Sequence, residues 1–97
     1  IGNYPNPFNP AGAGRSPETT ISFSLTAEDA ENAEIEIYNI KGQKVKTLST
    51  SSSSGLETRS VVWDGTDENN QPVSSGIYFY RLVTDRYSET KKMLLLR

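Results

Sequence analysis

The stretch TTISFSL, residues 19–25, decides the fold class because its polar and apolar side chains alternate one by one. Ile21, Phe23 and Leu25 fall on one side of an extended chain, while threonine and serine fall on the other. A period of two is typical of a β-strand with one buried face. The sequence therefore predicts a strand here, with these three apolar side chains in the core.

The same alternation returns in AEIEIYN, residues 33–39. Ile35 and Ile37 share one face, and Glu34 and Glu36 share the other. This pattern predicts a second half-buried strand with the isoleucines inward and the glutamates in solvent.

A hairpin turn follows in IKGQKV, residues 40–45, where Gly42 can take a positive φ without a steric penalty from a Cβ atom. The returning strand, QKVKTL (residues 43–48), places Val45 inward between Lys44 and Lys46. We expect both lysines to be solvated and to guard a sheet edge.

Two further strands carry most of the aromatic residues. In TRSVVWDG (residues 58–65), Val61 and Trp63 share a face, and we expect the tryptophan to anchor the core. In GIYFYRLV (residues 76–83), one face consists of Ile77, Phe79 and Arg81, so turning it inward would bury an arginine. The inward set is therefore predicted to be Tyr78, Tyr80 and Leu82.

The final stretch, SETKKMLLLR (residues 88–97), predicts a strand, but its pattern does not decide which side of the strand is buried. Lys92 lies on the same side as Leu94 and Leu96, and Lys91 lies on the same side as Met93 and Leu95.

The connections between these strands are polar. STSSSSG (residues 49–55) is a loop by composition, and DGTDENNQPVSSG (residues 64–76) is a long turn rich in Asp, Asn and Gly. TAEDAENAE (residues 26–34) lacks an apolar stripe, so we interpret it as a hairpin connection with at most one helical turn. A seventh short strand is expected either near residues 72–74 or at the N-terminus. The pattern predicts an all-β, immunoglobulin/fibronectin III-like antiparallel β-sandwich of about seven strands.

The opening segment NYPNPFNP (residues 3–10) cannot join a ladder continuously, because proline has no N–H to donate and holds the preceding residue extended. We interpret residues 1–18 as an entrance segment and residues 19–97 as the sandwich. Tyr4 and Phe8 are expected to plug one end of it.

Composition excludes several functional classes. The chain has no cysteine and no histidine, so a thiolate nucleophile, a disulfide and the commonest general base are all missing. A formal net charge of −2 gives no basic surface for nucleic acid, and no apolar run is long enough to span a membrane. We predict neither an enzyme nor a cofactor.

Two binding hypotheses remain open from the residues alone. Asp64, Asp67 and Asn69 offer oxygen ligands suited to calcium, although their spacing is not that of an EF-hand and such residues also make simple turns. Separately, Ile77, Phe79 and Tyr87 could form a platform for stacking sugars, although aromatic residues on strands more often serve packing.

Taken in order, NYPNPFNP, TTISFSL, IEIYNIKGQKVKTL, WDGTDENNQPVSSGIYFYRL and KKMLLLR give the chain a recognisable pattern. It resembles the C-terminal sorting domain of the type IX secretion system, also called the Por secretion C-terminal domain. The block from the tryptophan to the Gly-x-Tyr also resembles the immunoglobulin-like domain of flagellar hook-capping proteins. Two features depart from the sorting-domain pattern. Asn70 stands where many members have glycine, and the acidic connection at residues 26–34 is longer than usual.

The resemblance implies a non-catalytic module at the C-terminus of a larger bacterial protein. Such a module targets its parent through the periplasm to the outer-membrane secretion machinery, for secretion or attachment at the cell surface, and a sortase-like peptidase commonly removes it. The residues that correspond to the family's recognition features are Gly76, Tyr78, Lys91, Lys92 and Arg97. The residues of the entrance motif are Pro5, Asn6, Pro7 and Phe8.

Two other functions stay open: a structural assembly module of the hook-capping type and a carbohydrate-binding accessory domain. Structural roles are equally open for the Gly-x-Tyr residues, since Gly76 can simply permit a turn and Tyr78 can simply pack.

Overall fold

The computed structural model describes residues 1–4, 6–7, 18–24, 33–49, 58–86 and 88–96. These residues form two antiparallel sheets that pack face to face, as the alternating sequence predicts. The described strands are β1 (Gly2–Tyr4), β2 (Thr19–Ser24), β3 (Glu34–Tyr38), β4 (Lys44–Ser49), β5 (Thr58–Trp63), β6 (Gly76–Val83) and β7 (Ser88–Leu95). The smaller sheet has the order β1-β2-β5, and the larger has the order β4-β3-β6-β7.

The core lies between the sheets and consists of the side chains that the period of two places inward. Trp63 is fully buried, which confirms its expected role as an anchor. The predicted inward faces of β2, β3 and β6 are confirmed for every described member. These residues are Ile21, Phe23, Ile35, Ile37, Tyr78, Tyr80 and Leu82. The predicted immunoglobulin-like sandwich is therefore confirmed, with seven strands in the described residues.

The facing of the last strand, which the sequence leaves open, is decided by β6. Tyr78 lies opposite Met93 in the ladder, so Met93 and Leu95 point into the core while Leu94 points outward. Directly opposed residues in an antiparallel pair project to the same face, so the known facing of β6 fixes that of β7.

The seventh strand comes from the N-terminus, one of the two expected sources. Gly2–Tyr4 pairs with β2, so the segment 1–18 contributes one of the two edge strands of the smaller sheet. Near residue 72 there is instead an isolated bridge between Thr66 and Pro72. The expectation that Tyr4 plugs the sandwich is wrong: its side chain is 82% exposed, because its position on β1 projects it outward.

Two other expectations concern the β3–β4 hairpin. Its turn forms as predicted, with Gly42 at φ 81°, and the Asn39 side-chain oxygen accepts hydrogen bonds from the backbone N–H groups of Lys41 and Gln43, each at 3.0 Å. Solvation holds for Lys44 but is wrong for Lys46, whose side chain is only 17% exposed. The Lys46 ammonium donates a hydrogen bond to the Thr66 hydroxyl at 2.9 Å, which links β4 to the turn after β5.

Several predicted features lie outside the described residues. They are the inward Leu25, the plug Phe8, the platform residue Tyr87 and most of the connections at residues 26–34 and 49–55. Among the residues that are described, no helix is long and apolar enough to cross a membrane.

Candidate functional site

The residues predicted for recognition are brought together on the β6–β7 hairpin. Gly76 begins β6 and lies opposite Leu95, while Lys91 and Lys92 lie opposite Tyr80 and Phe79. Arg97 lies outside the described residues. The hairpin thus carries both the Gly-x-Tyr residues and the basic residues, but it presents them very differently.

Tyr78 is a core residue. It is 5% exposed, and its ring meets Trp63 edge to face with 5.4 Å between the ring centroids. Its hydroxyl donates a hydrogen bond to the Ser74 carbonyl at 2.6 Å. A docking partner could not reach this ring without unfolding the sandwich, so its position in the motif is explained by packing.

Gly76 is explained by its backbone conformation. Its φ of +150° is rarely adopted by residues with a side chain, although a Cβ atom built there would have no neighbour within 4 Å among the described atoms. The glycine therefore allows the chain to enter β6 from the preceding turn, and steric room is not the reason for it.

Lys91 and Lys92 are the accessible members of the predicted set. They lie within Ser88–Lys92, whose residues are all exposed, whereas Met93 and Leu95 further along β7 are buried. β7 is also the last strand in the order of the larger sheet. Both lysines thus belong to a sheet edge that a protein partner can approach.

The entrance segment contacts the other end of this edge. The Asn6 side-chain oxygen accepts a hydrogen bond from the Leu94 N–H at 3.1 Å. The Asn3 amide group donates to the Thr19 hydroxyl at 3.1 Å and contacts the Met93 sulfur at 3.8 Å. Pro7 is exposed beside it, while Pro5 and Phe8 lie outside the described residues. The N-terminal segment therefore attaches to the C-terminal strand.

The opposite edge of the larger sheet is covered by the acidic turn. A Glu68 carboxylate oxygen accepts a hydrogen bond from the Thr47 N–H at 2.6 Å, which satisfies a backbone donor on edge strand β4. Such covering by side chains prevents a strand edge from pairing with other chains. The sequence placed Asn6 in the entrance motif, but it predicted neither its contact with Leu94 nor that of Glu68 with Thr47, because each joins residues far apart in the chain.

The candidate calcium turn uses its oxygens internally. Asp67 Oδ1 accepts hydrogen bonds from the Asn69 N–H at 2.9 Å and the Gln71 N–H at 3.0 Å, as in an Asx turn. Asn70 takes a φ of 60°, a left-handed conformation that asparagine tolerates better than most other residues with a side chain. In the described ranges, no cluster of three or more Asp, Glu, His or Cys side chains is arranged to hold a metal.

The outer face of the larger sheet carries an aromatic pair that the sequence analysis identified only in part. Phe79 lies directly opposite Tyr38, and together with Ile40, Arg81 and Thr90 they line part of a shallow pocket of about 270 Å³. The proposed third platform residue, Tyr87, lies outside the described part of the chain.

A polar network borders this pair. The Tyr38 hydroxyl donates to a Glu36 carboxylate oxygen at 2.7 Å, and the Lys44 ammonium lies 3.2 Å from the other oxygen. The Tyr38 hydrogen bond is the largest influence on the pKa of Glu36. With Lys44 it lowers that pKa below the ordinary value of 4.5, against an opposing effect of burial. The same hydrogen bond raises the pKa of Tyr38.

Comparison with known proteins agrees with this architecture. The family model for the FlgD Ig-like domain matches residues 12–87. No curated protein matches the chain in sequence.

Two solved structures are similar in fold. One is PorZ, described as an essential bacterial surface component of the type-IX secretion system of Porphyromonas gingivalis, with a TM-score of 0.66 at 18% identity. That match covers all of this chain and 11% of PorZ. The other is FlgD from P. aeruginosa, with a TM-score of 0.61 at 21% identity, covering 79% of this chain and 58% of that one. The chain therefore corresponds to only part of either protein.

The FlgD Ig-like family is non-catalytic, in keeping with a site that consists of strand edges and sheet faces. The family model spans β2 to β6 and leaves β7 outside its limits. On this match, the chain belongs to the FlgD Ig-like domain family.

Proposed function

We propose that this domain is a non-catalytic C-terminal sorting module that delivers its parent protein to a type IX outer-membrane translocon. Its partners are the outer-membrane secretion machinery and a sortase-like peptidase, and its parent reaches the medium or the cell surface through the periplasm. The observation that carries the proposal is the exposed lysine pair of β7 on an accessible strand edge. The order of the sequence motifs and the similarity in fold to part of PorZ, which extends over the whole of this chain, support it.

The physical basis is recognition of a strand edge by a protein receptor. An edge offers unpaired backbone N–H and C=O groups, and neighbouring side chains then select the partner. Lys91 and Lys92 supply positive charge beside those groups, whereas Gly76 and Tyr78 serve the proposed function indirectly by holding the β6–β7 hairpin in shape.

A reporter export experiment tests this function. Residues 1–97 are fused behind a signal peptide and a fluorescent reporter, and the fusion is expressed in bacteria with and without a working type IX translocon. We expect reporter at the surface or in the medium only in the competent strain. A native sorting tail from the host is included so that a host-specific translocon is recognised as such.

Single substitutions then test the recognition surface. Lys92→Glu should reduce export at unchanged stability, whereas Lys41→Glu, an equal change of charge in the exposed β3–β4 turn, should leave export intact. Truncating the last residues would be less informative, because Met93 and Leu95 belong to the core. Equal export of both variants would contradict a role for the β7 lysines.

The second candidate is a structural assembly module, favoured by the match to the FlgD Ig-like family. Such a module binds neighbouring proteins without any translocon. Periplasmic retention of a folded fusion in both strains, while the native tail is exported, would support this candidate over sorting.

A further inference from the structure

We propose that a second copy of this chain pairs with the first through their β7 strands, antiparallel and with the two-fold axis at Thr90. The two four-stranded sheets would then join into one continuous sheet. This association does not depend on the proposed sorting function.

The first argument is that the edge of β7 is available over a defined length. β6 is the strand paired with β7 among the described residues, and Ser88–Lys92 is exposed throughout. Leu94 directs its N–H away from β6, since Asn6 accepts it. Backbone groups alternate in direction along a strand, so Ser88, Thr90 and Lys92 direct theirs to the same open side.

The second argument is that the Asn6 contact limits this open edge at one end. The Leu94 N–H is already satisfied, so pairing beyond Lys92 would have to break that hydrogen bond. The available segment is therefore Ser88–Lys92, and its central residue is Thr90. An antiparallel pair of identical segments uses all of this edge when the axis lies at that residue.

The third argument is the charge pattern. With the axis at Thr90, Glu89 of each copy lies opposite Lys91 of the other, which gives two cross-strand pairs of opposite charge. Neither side chain has an ion pair within the described residues. Shifting one strand by two residues relative to the other keeps the same backbone groups facing each other. Such a shift would place Glu89 opposite Glu89 in one direction, or Lys91 opposite Lys91 in the other. The sequence of β7 thus favours one register over those beside it.

The fourth argument is the contrast with the other edge of the same sheet. On β4, Glu68 covers the Thr47 N–H, and Lys44 is held by Glu36. Lysines on an edge usually oppose pairing. On β7, Glu89 lies two residues before Lys91. The Lys91 charge of one copy can therefore pair with the Glu89 charge of a second copy. The pairing area is small, so we expect a reversible dimer whose population rises with concentration.

Sedimentation equilibrium of the 97-residue chain over a range of concentrations tests the proposal. We expect a monomer–dimer equilibrium, and we expect Glu89→Lys and Lys91→Glu each to weaken it by about tenfold or more, since each creates like-charge pairs. Lys41→Glu serves as the control, because it makes the same change of charge as Lys91→Glu away from the edge and should leave the dimer unchanged.

Charge exchange makes the test specific. The double variant Glu89→Lys/Lys91→Glu, and an equimolar mixture of the two single variants, restore opposite charges and should restore association. Thr90→Pro, which removes an outward N–H without taking a bond from the β6–β7 ladder, should yield a folded monomer. A wild-type chain that stays monomeric on the order of 1 mM would overturn the proposal. So would a dimer that neither reversal weakens.

Discussion

At the scale of single residues, Tyr78 shows how a motif residue can serve the fold. Its hydroxyl bonds the Ser74 carbonyl, and its ring packs on Trp63. We expect Tyr78→Phe to lower the free energy of unfolding by about 0.5–1.5 kcal/mol, the usual contribution of one hydrogen bond. Trp63→Ala should cost about 3–5 kcal/mol, because it leaves a cavity in the core.

Urea denaturation measures both losses. In the export experiment, Tyr78→Phe should retain the reporter distribution of the wild type. A variant with unchanged stability and lost export would instead assign the Tyr78 hydroxyl to recognition, contrary to its buried position.

Glu36 gives a prediction about pH. Its pKa is lowered chiefly by the hydrogen bond from Tyr38, so Tyr38→Phe should raise that pKa toward the ordinary value of 4.5. A lowered carboxyl pKa contributes stability above the unfolded-state value, and this contribution is lost as the pH falls through the folded-state value. On acidification from above the unfolded-state pKa of Glu36 to below its folded-state pKa, the variant should therefore lose less stability than the wild type.

An NMR titration of the Glu36 side-chain carboxyl carbon, in the wild type and in Tyr38→Phe, checks the shift directly. An unchanged Glu36 midpoint in Tyr38→Phe would show that the positive charges of Lys44 and Arg81, and not the Tyr38 hydrogen bond, lower the pKa.

At the scale of secondary-structure elements, two side chains that are distant in sequence each accept a hydrogen bond from an N–H group on an edge strand of the larger sheet. Asn6→Ala should speed amide hydrogen exchange at Leu94, and Glu68→Ala should speed it at Thr47, because each removes the acceptor of that N–H. Local opening governs such exchange, so each effect should stay on its own edge.

Exchange at the other edge is the control for each variant. If either substitution accelerated exchange at both edges equally, global destabilisation would explain the result, and the covering role would be rejected.

At the scale of the whole molecule, the N-terminal strand β1 forms one edge of the smaller sheet, and its Asn3 contacts Met93 on β7. Deleting residues 1–4 removes the partly buried Ile1 and the Asn3 hydrogen bond to Thr19. We expect this to lower the free energy of unfolding by about 1–3 kcal/mol while the remaining sheets persist. Thermal unfolding followed by circular dichroism measures the change.

Tyr4→Ser is the matched variant within the same strand. Since Tyr4 is 82% exposed, this substitution should change stability by less than about 0.5 kcal/mol. A loss as large as that of the deletion would restore the interpretation of Tyr4 as a plug.

The sequence by itself determined the sandwich class and the inward faces of β2, β3 and β6. A period of two is a local property, and at these strands only one face was free of charge or strongly polar groups. Trp63 as a core anchor and the hairpin turn at Gly42 were predictable for the same reason, because each depends on a residue type within a short segment.

Only the tertiary structure decided which face of β7 is buried, the source of the seventh strand and the side-chain contacts to the Leu94 and Thr47 N–H groups on the two edge strands. Both faces of the stretch 88–97 carry a lysine and two large apolar residues, so the pattern alone did not decide which face is buried, and the pairing of Tyr78 with Met93 did. Asn6 and Leu94, like Glu68 and Thr47, meet only when the sheets pack, and no local pattern encodes contacts across such separations. The candidate site was therefore only partly predictable. The sequence named Lys91 and Lys92, but only the folded structure shows that they lie exposed on an open sheet edge.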